Sequence, residues 1–143
     1  MSACRFCAIG AGDHPAEIVW QDQRLVAFMD AFPIRPGHLQ IVPRDHYPAF
    51  LDLPADLLAA IGAAGQRLGR GLQAVAQVER IAFAFSGADV AHAHAHVFPL
   101  HEAGDMTSRA CIEGEFTLRR PQRAPDGALA AMAGQIRHSL KVA

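Results

Sequence analysis

Surplus charge of either sign is missing from this chain: 13 Lys and Arg stand against 14 Asp and Glu in 143 residues, a net charge of −1. With no basic stripe to grip a phosphate backbone, a polynucleotide partner is not expected. A small anionic ligand stays open, because a few donors suffice to hold one phosphate. No apolar run reaches the roughly 20 residues of a membrane span. The start, Met1-Ser2-Ala3-Cys4-Arg5-Phe6-Cys7, lacks a basic leader followed by an apolar core, so the expectation is a cytoplasmic protein. Cysteine is scarce too. Three residues, an odd number, argue against a disulfide framework and leave Cys4 and Cys7 as a Cys-x-x-Cys pair with Cys111 alone. Neither an internal repeat nor a second domain is evident, and residues 1–143 read as one domain long enough to bury a core. At 51% hydrophobic and 19% charged residues, the composition is that of an ordinary soluble globular protein.

What the chain has is histidine, concentrated in Asp89-Val90-Ala91-His92-Ala93-His94-Ala95-His96-Val97-Phe98-Pro99. Side chains of a strand alternate between faces, so a strand here sets His92, His94 and His96 on one face and Ala93, Ala95 and Val97 on the other. At a rise of about 3.3 Å per residue, neighbouring imidazoles lie about 6.6 Å apart. Small and β-branched spacers favour the strand over a helix, with an end near Phe98 before Pro99. A tag-like or low-complexity histidine tract is a competing reading, weakened by the internal position and the apolar alternation. A zinc hydrolase face, with two of the three imidazoles as ligands, is another.

Around this stretch the pattern is mixed. Ala8 to Pro15 is rich in turn formers and reads as a loop, with His14 exposed. Glu17–Gln21 and Arg24–Asp30 read as strands joined at Asp22-Gln23, His38–Pro43 as a third and Ile81–Phe85 as a fourth. From Asp52 to about Gln77, Leu57, Leu58, Ile61, Ala64, Leu68, Leu72 and Val75 recur at helical steps, with Pro54 in the first turn and Asp52 available as a cap. Gly62, Gly65, Gly69 and Gly71 weaken that helix by about 1 kcal/mol each relative to Ala, and allow it to lie close against a sheet. Beyond Leu100 a loop, weak strand signals at Cys111-Ile112 and Glu115–Leu118, and a last helix carrying Leu129, Met132, Ile136 and Leu140 with Asp126 as cap complete the reading. The sum is an α+β chain: an antiparallel sheet of about five strands, one long helix and a C-terminal helix.

The run His-apolar-His-apolar-His-apolar-apolar, the Pro36-Gly37-His38 entry to a strand, the Pro43-Arg44-Asp45-His46 segment and the Phe28/Asp30 pair together resemble the histidine triad (HIT) family of nucleotide hydrolases and transferases. The resemblance covers residues 4 to about 99, leaving 100–143 as a C-terminal extension. It implies a homodimer of two edge-paired sheets. It also implies that His94 is a nucleophile toward an α-phosphorus, with its other nitrogen bonded to a backbone carbonyl. His96 would bind phosphate and help protonate the leaving group, and His38 would stand beside them. Asp30 would hold ribose hydroxyls, with Phe6, Phe28, Met29 and Ala31 lining the base pocket. A structural zinc on Cys4, Cys7, His46 and His92 follows from the branch of the family that includes the first triad histidine in such a set. The usual Gly-Gln-Ser/Thr run ahead of the triad is replaced here by Phe85-Ser86-Gly87-Ala88-Asp89, which leaves Ser86 and the Gly87 amide as phosphate donors. A histidine rather than glutamine at position 96 favours hydrolysis over nucleotidyl transfer. The expected partner is a small nucleotide conjugate, a nucleoside phosphoramidate or dinucleoside polyphosphate. A nucleotidyltransferase and a zinc-stabilised binding protein with little turnover remain alternatives.

Overall fold

Five short apolar segments, each bounded by turn-forming residues, pair in the computed structural model, which describes residues 4–86, 89–102, 105 and 122–142. They are β1 (Ile18–Gln21), β2 (Leu25–Met29), β3 (Leu39–Pro43), β4 (Arg80–Phe85) and β5 (Ala95–Leu100). Every pairing is antiparallel and the order across the sheet is β1-β2-β3-β5-β4, so β5 inserts between β3 and β4. The β1–β2 turn is an Asx turn, because the Asp22 carboxylate accepts from the Arg24 and Leu25 amides at 2.7 Å each. The architecture is α+β, as the pattern predicts.

Alternation sorts the two faces of the sheet. Leu25, Ala27 and Met29 of β2, Leu39 and Ile41 of β3, and Ala95 and Val97 of β5 form the main core with Leu57, Ile61, Leu68 and Leu72 of helix α2 (Ala55–Ala76). The C-terminal helix, α3 (Ala128–Val142), adds Ala133 and Ile136 to the same core. The opposite face carries Val26 and Phe28, then Gln40 and Val42, then His96, as the register pairs Phe28 with Gln40 and Gln40 with His96. A second cluster of Phe6, Ile9, Val26, Phe28 and Val42 covers part of that face.

Two of the four α2 glycines bring it close to the sheet, whereas Gly71 faces Ser139 and Leu140 of α3 and Gly62 faces open space. A Cβ at Gly65 would stand 2.4 Å from the Phe83 ring, and one at Gly69 3.4 Å from Ile81. Gly37, at φ +99°, turns the chain into β3, and a side chain there would meet Leu72 at 2.5 Å.

Three expectations are corrected. The run after Cys7 is not a loop at its start: α1 spans Arg5–Ala11, closed by Gly12 in the left-handed conformation. Asp52 does not cap α2, since its carboxylate accepts from the Ala49 amide at 3.0 Å in the short 3-10 turn before it. Asp126 is exposed and its carboxylate accepts from Arg123 at 3.1 Å, with no capping bond to α3. The weak strand signals at 111–118, with Cys111, lie outside the described residues. Among the described residues no helix is long and apolar enough to cross a membrane.

Candidate functional site

The histidine-rich segment enters the sheet only at Ala95, and its backbone is committed elsewhere before that. The His92 amide donates to the Val90 carbonyl at 2.8 Å and the Ala93 amide to the Tyr47 carbonyl at 2.6 Å. The expectation of one strand face bearing all three imidazoles is thereby overturned. His92 turns away beneath the N-terminal helix, while His94 and His96 stay together with ring centroids 5.0 Å apart. Strand spacing would have put them farther apart, but His94 precedes β5 and is not bound by its pleat. At its other end β5 runs through Pro99 to Leu100, beyond the last pairing with β3 at Val97.

Each imidazole has its tautomer fixed by a neighbour. His92 donates Nε2–H to the Pro43 carbonyl at 2.9 Å, so its Nδ1 lone pair faces sulfur: 3.4 Å from Cys4 Sγ and 3.5 Å from Cys7 Sγ. His94 donates Nδ1–H to the His92 carbonyl at 2.6 Å, which leaves Nε2 as a bare acceptor nitrogen. The Ile34 amide donates to His38 Nδ1 at 3.1 Å; His38 Nε2–H therefore donates to His96 Nδ1 at 2.9 Å. His96 in turn directs Nε2–H to the Ser86 carbonyl at 3.2 Å.

Burial favours the neutral forms of His38, His96 and His92. Desolvation lowers the His38 pKa to about 4; Asp30, 3.6 Å away, pulls the other way, and His96 adds to the depression. His96 is lowered by burial and by neighbouring His94, and His92 by burial above all.

The second cluster is a set of metal donors. Cys4 and Cys7 flank the first turn of α1, His46 follows β3, and His92 precedes β5, with Cys7 Sγ 3.4 Å from His46 Nδ1. All four donor atoms lie within 4.8 Å of one another. Tetrahedral zinc with bonds of about 2.3 Å to sulfur and 2.0 Å to nitrogen requires S···N edges of about 3.5 Å, so the residues fit that ion. Burial, then the neighbouring Cys4, pushes the Cys7 thiol above its usual pKa, a tendency that a bound cation reverses.

Between these clusters lies an aromatic wall. The Phe6 ring is 5.5 Å from Phe28 and 5.1 Å from His94, with both phenylalanines buried. Asp30 follows β2 with each oxygen already engaged: Oδ1 accepts from the Phe32 amide at 2.8 Å, Oδ2 from Gln40 Nε2 at 2.7 Å. Met29 is the expected pocket residue that the fold does not bring here; it points into the main core on the α2 face, because it is one step out of phase with Phe28. Ala31 lies next to Asp30, half-exposed, its carbonyl accepting from the Ala124 amide at 2.9 Å. Ser86 is exposed and touches the site through its carbonyl, and Gly87 lies outside the described residues.

Two features escaped the sequence reading. Arg35, at the turn before β3, donates to the buried Asp105 at 2.9 and 2.6 Å, and Asp105 also accepts from the His101 and Glu102 amides. Nothing in an isolated Arg and Asp announces such a pair. Gln40 carried a visible signal, a lone polar residue inside the apolar strand Leu39-Gln40-Ile41-Val42, in phase with His38 and so on the site face.

Comparison with known proteins places this geometry. The model of the HIT domain matches residues 11–103. The chain belongs to the HIT family. An uncharacterized HIT-like protein of Mycobacterium tuberculosis is 33% identical over 129 residues, covering 87% of this chain and 88% of its own. The crystal structure of a Zn-bound histidine triad family protein from Mycobacterium smegmatis superposes with a TM-score of 0.78 at 27% identity, covering 98% of this chain and 94% of that one. The adenylylsulfatase HINT3 of Arabidopsis thaliana is 24% identical, covering 96% of this chain and 69% of its own. The HIT family thus includes at least one relative named as an enzyme.

Proposed function

We propose that this HIT protein is a hydrolase acting on the α-phosphate of a small nucleotide conjugate, a nucleoside phosphoramidate or dinucleoside polyphosphate, through a nucleotidyl-histidine intermediate on His94. The observation that carries the reading is the 2.6 Å bond from His94 Nδ1–H to the His92 carbonyl, which aims an unprotonated Nε2 away from the backbone. In the first step Nε2 bonds to phosphorus as the bond to the leaving group breaks. A protonated His96 gives its proton to the departing atom. Water then attacks phosphorus, the P–Nε2 bond breaks, the water proton returns to His96, and a nucleoside monophosphate leaves. In the resting site His38 Nε2–H donates to Nδ1 of the neutral His96 ring at 2.9 Å, and protonating His96 breaks that bond, which keeps the acid form scarce. Because burial keeps His96 mostly neutral near pH 7, its help to basic leaving groups grows as the pH falls.

Asp30 is assigned to the ribose hydroxyls, Phe6, Phe28 and Ala31 to the nucleoside wall, and Ser86 with Gly87 to phosphate. The Cys4, Cys7, His46 and His92 set is assigned a structural zinc, for which the Zn-bound relative and the donor spacing are the support. Transfer of the nucleotidyl group to another acceptor, or binding with little turnover, are the alternatives that a substrate panel with product identification separates. The nucleophile is tested by rapid quench and intact-mass analysis under conditions that preserve phosphohistidine. Wild type should carry a nucleotide adduct; His94→Ala should bind nucleotide but lose turnover by at least about 10⁴-fold, the loss expected of a nucleophile. No adduct, with substantial activity in His94→Ala, would refute the intermediate. We also propose a homodimer, which is supported by β4 pairing with β5 alone among the described residues.

A further inference from the structure

Gln40 is nine-tenths buried in the middle of β3, and its two amide atoms fare differently. Nε2 donates to Asp30 Oδ2 at 2.7 Å. This fixes which amide atom is which, since a carboxylate only accepts. Oε1, beside it, is the one buried side-chain nitrogen or oxygen among the described residues with no hydrogen-bond partner. Buried acceptors are rarely left so, because the desolvation is uncompensated. The orphan atom belongs to a side chain on the site face, flanked in register by Phe28 of the nucleoside wall on one side and His96 on the other.

We infer that Gln40 Oε1 is a ligand-binding acceptor that, together with Asp30, recognises a vicinal diol: one hydroxyl donates to the Asp30 carboxylate and its neighbour to Gln40 Oε1. The chemistry fits a diol better than a single group. Asp30 Oδ2 takes the Gln40 amide with one of its lone pairs and keeps capacity for a hydroxyl, and the carbonyl oxygen of that same amide is a second acceptor without a partner. A ribose presents two adjacent O–H donors, whereas a 2′- or 3′-deoxyribose presents one and leaves an acceptor unmet. An apolar side chain at position 40 would supply no such discrimination and no anchor for Asp30. The inference rests on the nucleotide reading proposed above and adds the sugar selectivity of that site.

Calorimetric affinities for AMP, 2′-deoxy-AMP and 3′-deoxy-AMP, measured on wild type, Gln40→Leu and Gln40→Met, test it. Wild type should bind each deoxy analogue about 3- to 10-fold more weakly than AMP, the span of one neutral hydrogen bond. In the Gln40 variants the penalty for one missing hydroxyl should vanish while the other, belonging to Asp30, persists. If Gln40 acts only by holding Asp30, both penalties shrink together, and the inference is overturned. A change in AMP-to-GMP preference with both sugar penalties intact overturns it in favour of base reading. Failure of wild type to bind any of the three nucleotides refutes the nucleotide reading itself, whereas wild-type binding with unchanged ratios in folded variants, checked by circular dichroism, refutes only the role of Gln40.

Discussion

The chemistry of this site is set by single hydrogen bonds to ring nitrogens, and His38 shows how much rests on one of them. Its folded pKa of about 4 lies below the ordinary value of 6.5 because burial penalises the imidazolium, despite Asp30 nearby. The unfolded chain therefore binds a proton between those two values that the folded protein refuses. Stability from this group is complete above pH 6.5 and is lost as the pH falls toward 4. The size is about 3 kcal/mol in all, of which about 2 kcal/mol should be gone at pH 5. Urea unfolding at pH 7 and pH 5, in a Cys4→Ser/Cys7→Ser background so that metal release does not contribute, should show His38→Gln losing less stability than its parent by about that amount. Equal losses would mean that His38 is not buried neutral. His94, His96 and His38 were legible as residues of one site, because Pro-Gly-His and the triad run are family patterns. Their tautomers were not, since each depends on a carbonyl or amide that only the fold brings near. Gln40 was legible only as an oddity, a polar residue in an apolar strand, and its orphan oxygen required the packed β2 and β5 to be recognised.

At the scale of elements, period-2 and period-3.6 patterns found all five strands, with β5 begun too early, and both long helices, since each buries one face and writes it into the sequence. They failed where tertiary bonds override the pattern. His92-Ala93-His94 alternates like a strand, yet Tyr47, Pro43 and Val90 carbonyls bend it out of the sheet. Helix α1 has seven residues, too few turns for a periodic signal, and its Gly10 and Gly12 mimic a loop. Among the described residues β4 is an edge strand, paired with β5 only, and Phe83 on it is 41% exposed. An edge strand with an exposed aromatic is a template for pairing, and a second copy of the chain is the partner that the family architecture implies. Sedimentation equilibrium at micromolar concentration should give a dimer for wild type and a monomer for Phe83→Lys, whose charge opposes edge pairing. A wild-type monomer would end the proposal.

Over the whole molecule, the Cys and His cluster joins pieces that are far apart in sequence: helix α1 through Cys4 and Cys7, the turn after β3 through His46, and the approach to β5 through His92. Both ends of the proposed chemistry hang from that junction. The His92 carbonyl holds the His94 tautomer, and Phe6, which sits between the two cysteines, packs against His94 and Phe28. A zinc ion bound there would stabilise the folded state by mass action and, through His92 and Phe6, orient groups it never touches. Cys4→Ser/Cys7→Ser should therefore lower zinc content from one per chain to none by elemental analysis. Loss of a few kcal/mol, at about 2–4 °C per kcal/mol for a chain of this size, should lower Tm by about 10 °C. Turnover should fall by about 10- to 100-fold, as when the support of a reactive group is removed, with weaker nucleotide binding as Phe6 loosens. A metal acting directly on substrate predicts a different pattern, in which chelation abolishes the reaction while the fold stands. Unchanged Tm and turnover in the metal-free variant would exclude both roles, and a complete loss of turnover with Tm intact would exclude the structural one.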